Sequence, residues 1–197
     1  PLKWVFALEY VLQGMANPFQ GVTYQPFFRH FKFDYGLSEA DTQKYFAQSY
    51  LAWSFKPILG FFIDAYGRTR TLLLFLLGAS AIGFVLTPLI DRGPMLFFSS
   101  MFALSVILAA TDVAVDRATV IEGAAEAAQS GRSKATSVGL NQAICWAAIY
   151  GTSIVASLLG GYLADHVPVH ALLVGLALVP MGVFLAATRL PKDRLPP

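Results

Sequence analysis

Apolar residues run along this chain in long stretches separated by short polar clusters, and the length of those stretches sets the first expectation. A helix needs roughly 20 mostly apolar residues to cross a bilayer core. Runs of that length recur: Tyr10 to Phe28, Tyr45 to Ile63 with Lys56 as its one charge, Thr71 to Ile90, Gly93 to Thr111, Ala135 to Ala164, and Val167 to Thr188 with only His170. They predict an all-α membrane protein of six spans, over about 4–29, 42–64, 70–90, 93–117, 134–164 and 168–188. Barrel strands would need only ~10 residues of alternating polarity, which is not the pattern here. Asp91-Arg92-Gly93-Pro94 and Asp165-His166-Val167-Pro168 are turn signals that separate the third from the fourth span and the fifth from the sixth. Ser38-Glu39-Ala40-Asp41 reads as a helix start, with acids at the positive end of the helix dipole.

Composition agrees with the pattern. The 197 residues are 56% hydrophobic and 13% charged, about half the charge of an average soluble domain, and the mean hydropathy is +0.58. A net charge of +2 is too small to drive nucleic-acid binding by counterion release. The single Cys145 excludes an internal disulfide and any multi-cysteine metal site. No phosphate-binding loop, nucleophile triad or metal signature appears, so no enzyme activity, cofactor or metal is expected. His166 and His170 read as solvated or interfacial. With the N-terminus cytoplasmic, inside segments hold Lys3, Arg68, Arg70, Arg117, Arg132, Lys134, Arg189, Lys192 and Arg194, against Arg29, Lys32, Lys44 and Arg92 outside. That imbalance places both termini inside.

The informative residues are the polar ones inside the spans. Glu9, Gln13, Asn17, Gln20 and Tyr24 recur at spacings of four, four, three and four, which lines one helix face. In lipid such a stripe is costly unless it pairs or lines water, so it implies a bundle interior or an aqueous cavity. Interhelical hydrogen bonding is the plainer alternative. Lys56 precedes Pro57, which leaves the carbonyl of Trp53 without its helical donor and kinks the second span. A lysine at a helix break is a candidate anion site, with snorkelling as the alternative. Asp112 and Asp116 lie one turn apart on the fourth span. Two carboxylates this close suit proton coupling; Asp116 by itself reads rather as an inner-leaflet latch to Arg117 or loop bases, and Asp112, one turn deeper, as the functional candidate. Asn141, Gln142 and Trp146 form a polar and aromatic region on the fifth span.

Gly60, Asp64, Gly67, Arg68 and Arg70 fall in the loop between the second and third spans, and this segment resembles the loop signature of the major facilitator superfamily, departing at Ile63 and Thr69. Tyr10-Val-Leu-Gln13-Gly14, Trp53-Ser-Phe-Lys56-Pro57-Ile-Leu-Gly60, Thr111-Asp112-Val-Ala-Val-Asp116 and Asn141-Gln142-Ala-Ile-Cys145-Trp146 together resemble the folate-biopterin transporter family. The resemblance implies a twelve-helix protein in two halves. Residues 1–190 would be the N-terminal six-helix half, and 191–197 the start of a central cytoplasmic linker leading to a C-terminal half. Asp64, Arg68 and Arg70 would form a charge latch that breaks as the halves rock.

By that resemblance the protein is a secondary active transporter, proton-coupled, for a folate or pterin. Lys56 would meet a substrate carboxylate while Trp53, Tyr24 or Trp146 stacks on the ring, with Gln13, Asn17, Gln20, Asn141 and Gln142 beside it. Glu9, Asp112 and Asp116 would carry the coupling proton. Its partners would be that small-molecule substrate, a proton or other coupling ion, and the lipid bilayer of a plasma or inner membrane. Two alternatives stay open. One is a permease of the same fold for a muropeptide, sugar or drug; the other is a membrane scaffold or assembly factor that transports nothing.

Overall fold

The polar clusters between the apolar runs are where the helices stop. In a computed structural model that describes residues 2–190, the order is α1 (Leu2–Ala16), α2 (Tyr24–Arg29), a π-helical turn (His30–Asp34), α3 (Glu39–Ser49), α4 (Leu51–Ser54), α5 (Lys56–Tyr66), α6 (Thr69–Ile90), α7 (Pro94–Ser130), α8 (Lys134–His166), α9 (Val169–Leu176) and α10 (Leu178–Ala187). No strand occurs among the described residues. The expected linker at 191–197 lies outside them. Ser38 starts α3 as expected: its hydroxyl accepts from the Asp41 N–H at 3.1 Å and satisfies one of the free donors of the first turn.

Four stretches are long and apolar enough to cross a membrane: α6, α7, α8, and the Val169–Ala187 stretch formed by α9 and α10. The first two expected spans are each interrupted. α1 ends at Ala16 and the chain unwinds over 17–23, where Pro18 cannot donate a hydrogen bond and Phe19 takes a φ of 67°. The Asn17 carbonyl holds this segment together by accepting from Gln20 N, Gly21 N and Thr23 Oγ1. Backbone irregularity at membrane depth needs such internal partners. The second stretch is divided at Tyr50 and Phe55, the latter break falling just before Lys56-Pro57, as the missing proline N–H requires.

α7 departs from expectation in the other direction. Its 37 residues reach about 55 Å at 1.5 Å per residue, well beyond the ~30 Å hydrocarbon core. The segment after Arg117, expected as a loop, is therefore helix; it stops at Gly131, whose φ is 68°, and Ser133 caps α8 by accepting from Thr136 N at 3.1 Å.

Packing is tightest where side chains are smallest. α1 lies against α8, and a Cβ at Gly14 would come within 2.9 Å of the Ile149 carbonyl. Gly160 likewise lets α8 approach the Val22 carbonyl. Such contacts bring backbones close where no hydrophobic effect drives helices together. At one end Phe19, Phe27, Phe31, Phe46 and Phe97 interlock edge to face, holding the unwound segment between α3 and α7. Much of the outward surface is apolar: Phe75, Leu89, Ile154, Leu158 and Leu178 are all exposed. Exposed apolar surface on this scale requires lipid as its solvent, and the chain is an integral membrane protein.

Candidate functional site

The polar residues of α1 meet those of α5, α7 and α8 at a cleft of about 540 Å³. Gln13 is its central connector. Its Nε2 donates to Glu9 Oε2 and to Asp112 Oδ1, both at 2.7 Å, so one amide joins the acids of two helices. Lys56, at the start of α5, donates to the other Asp112 oxygen. The same Nζ lies 4.8 Å from the ring centre of Trp53, a cation–π contact. Asp112 is almost fully buried and Lys56 about one-third exposed, so the pair is dry on the Asp112 side and open to the cleft on the Lys56 side.

Asp116 belongs to the same wall. Its Oδ1 accepts from Tyr10 OH at 2.7 Å and from Gln142 Nε2 at 3.1 Å, and that amide also donates to Thr119 Oγ1. Its neighbour Arg117 points elsewhere and pairs with Asp64 at 2.9 Å. Asp64, expected to meet the loop arginines, has an arginine from α7 as an ion-pair partner. Arg70 donates to the Thr188 carbonyl, and Arg68 occupies the residue before α6 without a side-chain capping bond. Gly67 ends α5 with a φ of 71°, the left-handed conformation that glycine adopts without penalty, and Gly60 lies 3.8 Å, measured from a built Cβ, from Val113.

Of the residues expected at the substrate, Gln13, Asn17, Gln20, Trp53, Lys56, Gln142 and Trp146 line the cleft, together with Asp112 and Asp116. Glu9 stands behind Gln13, buried. Tyr24 packs edge-on against Phe46 and does not line the cleft; with Gln20 it borders a small separate pocket. Asn141 is buried, with neither side-chain polar atom partnered among the described residues. Tyr10, Gly14, Val120, Ile149 and Ser153 also line the cleft and were not expected there. Tyr10 was legible in part, since it follows Glu9 directly; the others are small or apolar and carry no signal of their own.

A second cluster lies at the opposite end from the Asp64–Arg117 pair. Asp91, between α6 and α7, accepts from Tyr35 OH and lies 3.1 Å from His30 Nε2 and 2.6 Å from His170 Nε2. Burial opposes its charge, but the surrounding donors from Tyr35, His170, His30 and the Gly93 N–H overcome that and hold the Asp91 carboxyl below its usual value. His170, read from the sequence as solvated or interfacial, is half-exposed, and its Nε2 meets Asp91. His30, Asp91 and His170, from positions far apart in sequence, bring their side-chain N and O atoms within 4.8 Å of one another.

The BT1 family model matches residues 13–195. No curated protein and no solved structure matches the chain.

Proposed function

This chain belongs to the BT1 family, the folate-biopterin transporter family related to the major facilitator superfamily, and we propose that it forms the N-terminal half of a proton-coupled transporter for flat, anionic pteridines. A transporter family implies a small-molecule cargo. On this reading α1 with α2 makes a first discontinuous rod and α3 to α5 a second; with the four continuous stretches they complete six. Rods one and four are counterparts in an inverted repeat, and they supply Glu9 and Asp112 to the two sides of Gln13. A second half would close the open side of the cleft.

The observation that carries the proposal is the Lys56–Asp112 pair facing an open cleft inside an apolar bundle. A substrate carboxylate entering there competes with Asp112 for Lys56. Once Lys56 turns to the substrate, Asp112 is a buried carboxylate without its counter-ion, and a proton neutralises it. Anion and proton are then bound together, and release of either favours release of the other. Trp53 and Trp146 offer ring faces to a planar heterocycle, and Gln13, Asn17, Gln20 and Gln142 offer donors and acceptors to its polar edge. Glu9 accepts from the Gln13 amide that also bonds Asp112, giving the proton a second carboxylate.

Uptake by the full-length protein tests this. Saturable entry of labelled folate or biopterin, increased by an inward proton gradient and lost in Lys56→Ala and Asp112→Asn, is the expected result. Unchanged uptake in both variants overturns the mechanism, and entry of labelled muropeptide in place of folate overturns the substrate class.

A further inference from the structure

Three histidines occur in the chain, and two of them meet one buried carboxylate at the end of the bundle remote from Asp64. His30 comes from the π-helical turn, Asp91 from the end of α6, and His170 from α9. Asp91 Oδ1 is already used, accepting from Tyr35 OH and from the Gly93 N–H at 3.4 Å. Oδ2 faces both imidazole Nε2 atoms. On the far side of the His30 ring, Nδ1 lies 2.6 Å from Asp34 Oδ2. With Nδ1–H donating to Asp34, neutral His30 presents the lone pair of Nε2 to an oxygen of Asp91. Those two acceptors then share a cation, which is either the proton by which the ring donates to Asp91 or a metal ion in its place.

We propose that His30, Asp91 and His170 bind a first-row divalent metal, with Zn²⁺ as the best-matched ion, and that Asp34 is a positioning residue for His30. The three ligand atoms lie within 4.8 Å of one another, compatible with a shell of bonds of ~2.0–2.2 Å. Two neutral imidazoles and one carboxylate suit zinc better than calcium or magnesium, which take oxygen ligands. A carboxylate behind a metal-bound imidazole fixes the tautomer and orients the ring. A cavity of about 370 Å³ bordered by His30 and Asp34 leaves a side for water to reach the cluster. The bound ion would fasten the π-helical turn, the end of α6 and the start of α9 to one another. This inference is independent of the cargo.

The test uses the full-length protein, purified in detergent, stripped by a chelator and titrated with Zn²⁺ alone, then with Co²⁺ as a spectroscopic probe. Expected are one Zn²⁺ per chain, a rise in thermal midpoint on binding, and visible Co²⁺ absorption of a low-coordinate nitrogen and oxygen site. His170→Ala, at a half-exposed ring, should lower affinity at least ~10-fold and abolish the Co²⁺ spectrum, and Asp34→Asn should weaken binding ~10-fold while keeping that spectrum. His166→Ala should leave both unchanged. Equal Zn²⁺ affinity in wild type and His170→Ala, or no stoichiometric binding by a wild-type protein that remains folded, would overturn the site.

Discussion

Lys56 and Asp112, on α5 and α7, share a hydrogen-bonded ion pair with one partner buried and the other bordering the open cleft. Removing Lys56 leaves the carboxylate without compensation, whereas removing both charges leaves nothing to compensate. Lys56→Ala should therefore destabilise the protein by about 2 kcal/mol, below the range for fully buried pairs because Lys56 is partly solvated. The double variant Lys56→Ala with Asp112→Asn should regain most of that loss without regaining uptake. Thermal unfolding in detergent beside a transport assay measures both.

The cleft should be wet. In a Cys145→Ala background, cysteines placed at Gln20 and Trp53, which line it, should react with a membrane-impermeant thiol reagent, and substrate should slow the reaction. Cys145 itself is buried and should stay unmodified in the wild type. Protection of both introduced cysteines without substrate would favour the scaffold alternative.

Gly14 tests the α1–α8 contact. A Cβ there would meet Ile149 O and Thr152 Cβ, each at 2.9 Å, and one of these contacts is with backbone that cannot swing away. Gly14→Val should cost on the order of 1–3 kcal/mol, read as a lower thermal midpoint. Gly139→Ala, in open space on α8, is the control and should leave the midpoint unchanged or slightly higher.

Asp64 and Arg117 form an exposed pair, the carboxylate being 73% exposed. Such pairs contribute roughly 0–1 kcal/mol, so Asp64→Asn should leave the unfolding midpoint nearly unchanged. If the pair is a latch between transport states, the same substitution alters uptake rate. An unchanged rate together with an unchanged midpoint would remove the latch from the mechanism.

The sequence alone determined the solvent and the main residues of the cleft wall. Lipid follows from the length of the apolar runs, because a bilayer imposes a length that no soluble core does. The stripe from Glu9 to Gln20 and the lysine beside Pro57 were legible because polar groups inside such runs cost energy unless they face one another or water. The break before Lys56 could be read in the same way, from the donor that proline lacks, whereas the first span was expected to run unbroken through Asn17-Pro18.

Only the tertiary structure decided which of these residues meet. Local spacing left open whether Asp116 would turn to Arg117 or into the cleft; packing against Tyr10 and Gln142 turned it inward, while Asp64 took Arg117. Tyr24 sat on the polar stripe, but the unwound segment before it rotates the helix register and sends its ring to Phe46. His30, Asp91 and His170 gave no signal at all, since they are separated by whole helices and meet only where three ends of the bundle converge. Periodicity records which face of a helix a residue occupies; which other face it meets is set by how the helices pack.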